Sequence, residues 1–157
     1  MKRKQLSNQE LREIGDVIHT QYGISDIFSK KDHIELHEDK EKTIVKDHTP
    51  LFFYRNEDII PTLHLILRNN FLRTVTVDMR AIPFIVSGAD IMRPGIIVFD
   101  DFKEQDVIAV VDEKNKKPIA IGIALMSSDA LKAVDKGKVI KNIHYIGDLI
   151  WTKSSTQ

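Results

Sequence analysis

The sequence predicts an α+β chain in two parts: an α+β N-terminal unit over residues 1–73 and a mostly β pseudo-barrel with two short helices over 74–157. Three observations predict it. A capped amphipathic helix near the N-terminus is followed by strand-forming runs. Near Arg73 the texture changes, and short apolar runs begin to alternate with turn residues. The composition, 42% apolar and 29% charged over 157 residues, is that of a core-forming globular chain.

The first element lies in LSNQELREIGDVIHTQYG. Ser7 and Glu10 have capping-box spacing, Leu11, Ile14, Val17 and Ile18 recur at helical intervals, and Gly23 stands where a helix stops. In KKDHIELHEDKEKTIVKD, Ile34 and Leu36 alternate with charged residues and charges flank Ile44 and Val45, which predicts two strands around a polar turn at Asp39–Glu41. LFFYR at 51–55 is rich in strand formers. IIPTLHLILRNNF places Pro61 at a helix start and carries an apolar Leu/Ile face.

After Arg73, TVTVDMRAIPFIVSGADIMRPGIIVFDD predicts a strand, a short apolar helical turn and a second strand. DVIAVVDEKNKKPIAIGIAL predicts a hairpin closed by the polar turn EKNKK. SSDALKAVDKG predicts a helix with Ser at its start, Asp129 in its first turn and Gly137 at its end, and VIKNIHYIGDLIW a final strand. No Gly/Ser/Pro linker divides the halves, so they are expected to pack directly on each other.

Charge and residue usage exclude several classes. The chain carries 23 basic and 23 acidic residues, balanced twelve to twelve up to Thr74 and eleven to eleven beyond, so a strongly basic coat is absent. It contains no cysteine, which removes disulfides and thiolate metal sites. Nothing approaches the roughly 20 consecutive apolar residues a membrane span needs, and no apolar signal core follows MKRKQLSNQE. A soluble cytoplasmic protein without a membrane partner is expected.

His33 and His37 are four apart, which on a helix would set two metal ligands on one face. Their segment alternates, however, and in a strand that spacing is roughly 13 Å. His64 and His144 stand alone. No metal and no cofactor is expected. The chain has no GxSxG elbow, P-loop or GxGxxG. Asp100 and Asp101 are adjacent and read as a turn, and Asp78 reads as a cap for the helical turn after it. No reaction is predicted. Lys132, Lys136, Lys138 and Lys141 form a basic stretch that an exposed helix end would also explain, whereas Arg80 and Arg93 flank a glycine-bearing turn as an anion clamp would.

That turn is SGADIMRPG, Ser87–Gly95. Gly88 fits a left-handed helix stop and Pro94–Gly95 a tight turn into a strand. Turning alone does not require Met92 or Arg93.

The blocks VDMRAIPFIVSGADIMRPGI, DVIAVVD, PIAIGIAL and KGKVIKNIHYIGDLIW, from about Val75 to Trp151, resemble the PUA domain, a small RNA-binding pseudo-barrel. With PLFFYRNEDIIPTLHLILRN they resemble the malignant-T-cell-amplified-sequence family over nearly the whole chain, as a pre-PUA domain followed by a PUA domain. The resemblance implies a groove for RNA formed by the helix-to-strand segment and the last strand. It would comprise Arg80, Gly88, Ala89, Asp90, Met92, Arg93, Pro94 and Gly95, with Lys138 and Lys141 on the rim. In this picture the glycines let an RNA backbone approach, Met92 supports a base and Arg93 pairs with phosphate or stacks.

It further implies a non-catalytic, translation-associated protein that contacts tRNA or rRNA on the small ribosomal subunit. A density-regulated-protein-like partner would engage the N-terminal domain. The absence of cysteine and the short N-terminus before the first helix are departures that bear on that partner surface, and the brevity fits an archaeal-type member. The alternatives are an accessory RNA-binding subunit in RNA modification of the pseudouridine or archaeosine type, and a purely protein-binding adaptor.

Overall fold

The computed structural model describes residues 1–153. Helix α1 (Asn8–Tyr22) begins at a complete capping box: Ser7 Oγ accepts from Glu10 N–H, and Glu10 returns a bond from the Ser7 N–H. It ends at Gly23, whose φ of 73° is the left-handed stop anticipated from the sequence. Its apolar face packs Ile18, with Leu11 and Ile14, on a five-stranded antiparallel sheet.

That sheet has the order β1 (Lys2–Gln5), β2 (Ile34–Glu38), β3 (Lys42–Lys46), β4 (Thr49–Arg55) and β5 (Asp58–Pro61). Strand β1 was not anticipated. Its residues KRKQ carry no apolar alternation, and the strand exists because its backbone pairs with β2, Lys2 facing Glu38 and Gln5 facing Glu35. Charges along such an edge also discourage pairing with another chain. Pro61 does not start a helix. It closes β5, and Thr62 caps α2 (Leu63–Arg68), its hydroxyl accepting from Leu65 N–H while donating to the Pro50 carbonyl.

The remaining strands form a six-stranded mixed sheet of order β7 (Ile91–Met92), β11 (Lys138–Tyr145), β10 (Pro118–Ala124), β9 (Val107–Asp112), β6 (Arg73–Val77), β8 (Ile96–Phe99). The β6–β9 pair is parallel and the other pairs are antiparallel. Val75, Val77, Ile91, Ile108, Val110 and Ile140 fill its inner face beneath α3 (Ile82–Ile85) and α4 (Ser128–Lys132). Two expectations are corrected here. Helix α4 stops at Lys132, and Gly137 instead makes the left-handed turn (φ 97°) into β11. The terminal DLIW is not strand: Asp148 accepts from Trp151 N–H and caps a short helix, α5 (Leu149–Thr152).

The two sheets share a core. Phe53 and Ile60, on the side of the first sheet away from α1, pack with Leu63 and Ile66 of α2 against Val107, Ala109, Ile121, Ile123 and Ile150. His144 lies inside this seam with no exposed surface. Its Nε2 accepts from the Leu63 N–H at 3.0 Å, so the proton resides on Nδ1, which donates to Asp148 Oδ2 at 2.8 Å. Next to it His64 stacks on Trp151 with ring centroids 4.2 Å apart, and Lys153 reaches Asp39 in the β2–β3 turn at 2.6 Å.

Burial pushes the Asp148 carboxyl up. The His144 imidazole and the N–H groups of Trp151 and Tyr145 more than offset this and leave it below the usual carboxylate range. A carboxylate depressed in the folded state supports folding above the unfolded pKa of about 4 and loses that support as pH falls through its native value. The thermal midpoint should therefore be level between pH 7 and 5 and decline below about pH 4. Calorimetry across that range checks the sign; a loss of stability centred above pH 5 would contradict it.

Candidate nucleic-acid interface

The segment joining β6 to β8 is shaped by three local devices. Asp78 follows β6 and caps the 3-10 turn Met79–Ala81, its Oδ1 accepting from Arg80 N–H at 2.7 Å, the capping role expected of it. The same carboxylate binds the Arg80 guanidinium through Oδ2 at 2.8 Å, and these bonds hold Asp78 down at about pKa 2. Helix α3 carries Pro83 in its first turn, where a missing N–H costs nothing. Gly88 then takes a left-handed φ of 101°.

Both glycines also have close neighbours within the protein. A Cβ on Gly88 would lie 3.3 Å from the Tyr145 hydroxyl, and one on Gly95 would lie 3.3 Å from the Ala81 Cβ. The loop is then stapled to β11. Asn142 donates through Nδ2 to the carbonyls of Ile85 and Ala89, both at 2.9 Å, and its N–H donates to Asp90 Oδ1 at 2.9 Å. Lys138 binds the other Asp90 oxygen at 2.9 Å. Burial pushes the Asp90 carboxyl up, but the Asn142 N–H and the Lys138 ammonium outweigh it and hold it below the ordinary value.

Arg93 is engaged elsewhere. Its Nε donates to the carbonyls of Leu131 (3.0 Å) and Val134 (3.1 Å) at the end of α4, Nη1 reaches the Ile96 carbonyl, and the guanidinium lies 5.5 Å from the centre of the Phe99 ring. A cation there satisfies terminal helix carbonyls and complements the helix dipole. The expected Arg80–Arg93 anion clamp is therefore corrected: one guanidinium pairs with Asp78, and the other is turned inward beneath the loop.

What the segment encloses is an open, largely apolar groove of about 410 Å³. Arg80, Ala89, Asp90, Met92, Pro94 and Gly95 line it, whereas Gly88, Arg93, Lys138 and Lys141 do not. Asp78, Ala81, Phe84, Ile85 and Ile91 complete the lining, and Phe84 and Met92 stand 68% and 48% exposed at its rims. Phe84 was missed in the sequence. In AIPFIV the helical set Ile82, Ile85, Val86 turns toward the core, which leaves Phe84 outward, and that pattern could have found it. Exposed aromatic and thioether surface beside an apolar floor suits a flat unsaturated ring better than a phosphate.

Elsewhere, His33 and His37 both bond the Glu35 carboxylate, at 2.9 and 2.8 Å, which places the acid between them. Among the described residues no group of three His, Asp or Glu side chains is arranged to hold a metal ion. Asp100 accepts from both the N–H and the hydroxyl of Thr74. No helix among these residues is long and apolar enough to cross a membrane.

Residues 73–146 match the PUA domain and residues 2–69 match the Domain of unknown function (DUF1947). The chain is 42% identical over 154 residues to an uncharacterized protein of Methanocaldococcus jannaschii, covering 96% of this chain and 95% of that one. It is 37% identical over 141 residues to Translation machinery-associated protein 20 of Saccharomyces cerevisiae, covering 83% and 78%. With Malignant T-cell-amplified sequence 1-B of Xenopus laevis the identity is 33% over 136 residues, covering 82% and 75%. The crystal structure of a hypothetical protein from Pyrococcus horikoshii superposes with a TM-score of 0.83 at 33% identity, over 98% of this chain and all of that one.

Proposed function

The chain belongs to the family of the malignant T-cell-amplified sequences and translation machinery-associated protein 20, and on that footing we propose that it is a non-catalytic RNA-binding protein of translation. In this reading an N-terminal unit over residues 1–73 presents a surface to a density-regulated-protein-like partner. The unit over 74–157 receives an unpaired segment of tRNA or small-subunit rRNA, in the cytoplasm. The observation that carries the reading is the apolar groove flanked by Phe84 and Met92.

Phe84 offers its ring face and Met92 its sulfur to an unstacked base, which is how single strands are held without a large basic surface. Arg80, Ala89, Asp90, Pro94 and Gly95 shape the contact around that base. Gly88 and Arg93 hold the loop in place, and Lys138 and Lys141 lie on β11 beside it. A protein with 23 charges of each sign has little long-range pull on nucleic acid, so recognition falls on this local surface.

The test is fluorescence anisotropy with an RNA hairpin that bears a single-stranded 3′ overhang. Stacking of one base on an aromatic ring contributes about 1–3 kcal/mol, so the double substitution Phe84→Ala/Met92→Ala should weaken binding roughly tenfold or more. Its thermal midpoint should stay near that of the parent, because both side chains are exposed. Absence of any affinity for this RNA, total tRNA or small ribosomal subunits at low salt would refute the reading. Equal binding by parent and variant would move the site away from the groove.

A further inference from the structure

The groove has two ends, and both adjoin lysines. At the Met92 end, Lys138 is paired with Asp90, and Lys141 stands exposed on β11, where its charge also acts on Asp90. At the Met79–Arg80 end lies the turn between β9 and β10. The two are joined directly: Glu113 accepts the Met79 N–H through Oε1 at 2.9 Å and donates its own N–H to the Val77 carbonyl at 3.1 Å. The parallel β6–β9 register sets Val77 opposite Asp112, so the end of the helical turn and the hairpin turn sit side by side.

The turn carries Lys114, Lys116 and Lys117, all exposed. No ion pair among the described residues engages any of the three, and Glu113, the acid within the turn, accepts the Met79 N–H through Oε1. Nor is the turn a floppy excursion. Asp112 is 5% exposed and organises it from beneath: its carboxylate accepts the Asn115 N–H, its carbonyl accepts the Lys116 N–H at 3.0 Å, and its N–H donates to the Lys117 carbonyl at 3.1 Å. Lys116 is held at φ 55°, a left-handed conformation uncommon for a residue with a long side chain. A turn organised by Asp112, and bonded through Glu113 to Met79 between the groove residues Asp78 and Arg80, therefore carries three ammonium groups that no ion pair among the described residues engages.

We infer that this turn is the phosphate-binding half of the interface: a single strand that places a base against Phe84 and Met92 runs its backbone out over Arg80 and across Lys114, Lys116 and Lys117. The inference rests on the groove reading of the preceding section and adds to it the direction of the strand and the source of the salt-dependent part of the affinity. The division of labour is physical. The groove contributes stacking, which salt hardly affects, and the turn contributes counterion release, which salt suppresses.

The experiment measures the affinity of the full chain for the same 3′-overhang hairpin between 50 and 300 mM salt. The proteins compared are the parent, K114Q/K116Q/K117Q, Phe84→Ala/Met92→Ala, and K30Q/K31Q/K40Q as a control of equal charge change on exposed lysines of the first unit. Each phosphate contact on a single strand adds about 0.7 to the log–log salt slope, so the turn variant should lose about 2 from it and bind roughly tenfold or more weakly at low salt. The groove variant should weaken with its slope unchanged, and the control should match the parent. A turn variant with parental slope and affinity, while the groove variant is weakened, overturns this inference and leaves the groove reading standing. An equal loss of slope in the control also overturns it, since the effect is then one of net charge. Parental binding by both the turn and groove variants removes the groove reading as well. Unchanged thermal midpoints certify that each comparison is between folded proteins.

Discussion

Replacing His144 with alanine should lower the stability of the whole chain by about 3 kcal/mol, the loss typical of breaking a fully buried hydrogen-bonded pair. The imidazole satisfies two groups at once. Without it the Leu63 N–H, at the first turn of α2, faces a cavity, and the partly buried Asp148 carboxylate loses its donor. The contact with Phe53, at a ring-centroid distance of 5.4 Å, is lost as well. For a chain of this length such a loss corresponds to a fall in thermal midpoint of roughly 6–12 °C. His144→Gln should recover part of it, because an amide oxygen can accept from Leu63. A double-mutant cycle with Asp148→Asn should return a coupling above about 1 kcal/mol. Additivity of the two substitutions, or a His144→Ala protein as stable as the parent, would remove the seam role.

Gly122→Ala should cost about 2–3 kcal/mol in urea unfolding, a large effect for one added methyl group. Gly122 sits in β10, every residue of which is buried, at the position where the register with β11 shifts. A Cβ built there would come within 2.4 Å of Ile140 Cγ2 and 2.9 Å of the Lys141 carbonyl oxygen. The first neighbour is a side chain that can be trimmed. The second is backbone, and it can yield only if β11 moves. Combining Gly122→Ala with Ile140→Ala should therefore cost less than the sum of the two, yet not return to the level of Ile140→Ala alone. Because β11 also carries Asn142 and His144, displacement of this strand should loosen the groove loop as well as the seam. A change within about 0.5 kcal/mol of the parent would show that the strand yields freely and would sink the argument.

His144 illustrates how legible this chain is. His144 was visible in NIHYIGD, but only as a lone histidine. Its donor, Leu63, lies 81 positions earlier, and no local pattern connects the two. Arg93 is the sharper case. Its place in SGADIMRPG made it look like a free cation beside a turn, yet its Nε donates to carbonyls 38 and 41 residues away. The glycines of the same segment were read as turning points, and the structure adds close neighbours the sequence did not show: Tyr145 beside Gly88 and Ala81 beside Gly95. Phe84 went unremarked because an apolar residue in an apolar run reads as core.

What the sequence determined by itself was a set of features governed by neighbours within a few positions: the Ser7–Glu10 capping box, the stop at Gly23, the alternation of β2, the Asp78 cap and the hairpin turn after Asp112. These rest on hydrogen bonds and steric limits that span at most one turn of chain. The tertiary structure decided the rest. It made a strand of KRKQ by supplying β2 as a partner, turned Arg93 inward, buried His144 between two sheets and left Phe84 in the open. Each of those outcomes depends on which distant group offers a carbonyl, an N–H or an apolar wall, and that choice exists only once the two sheets have closed over a common core.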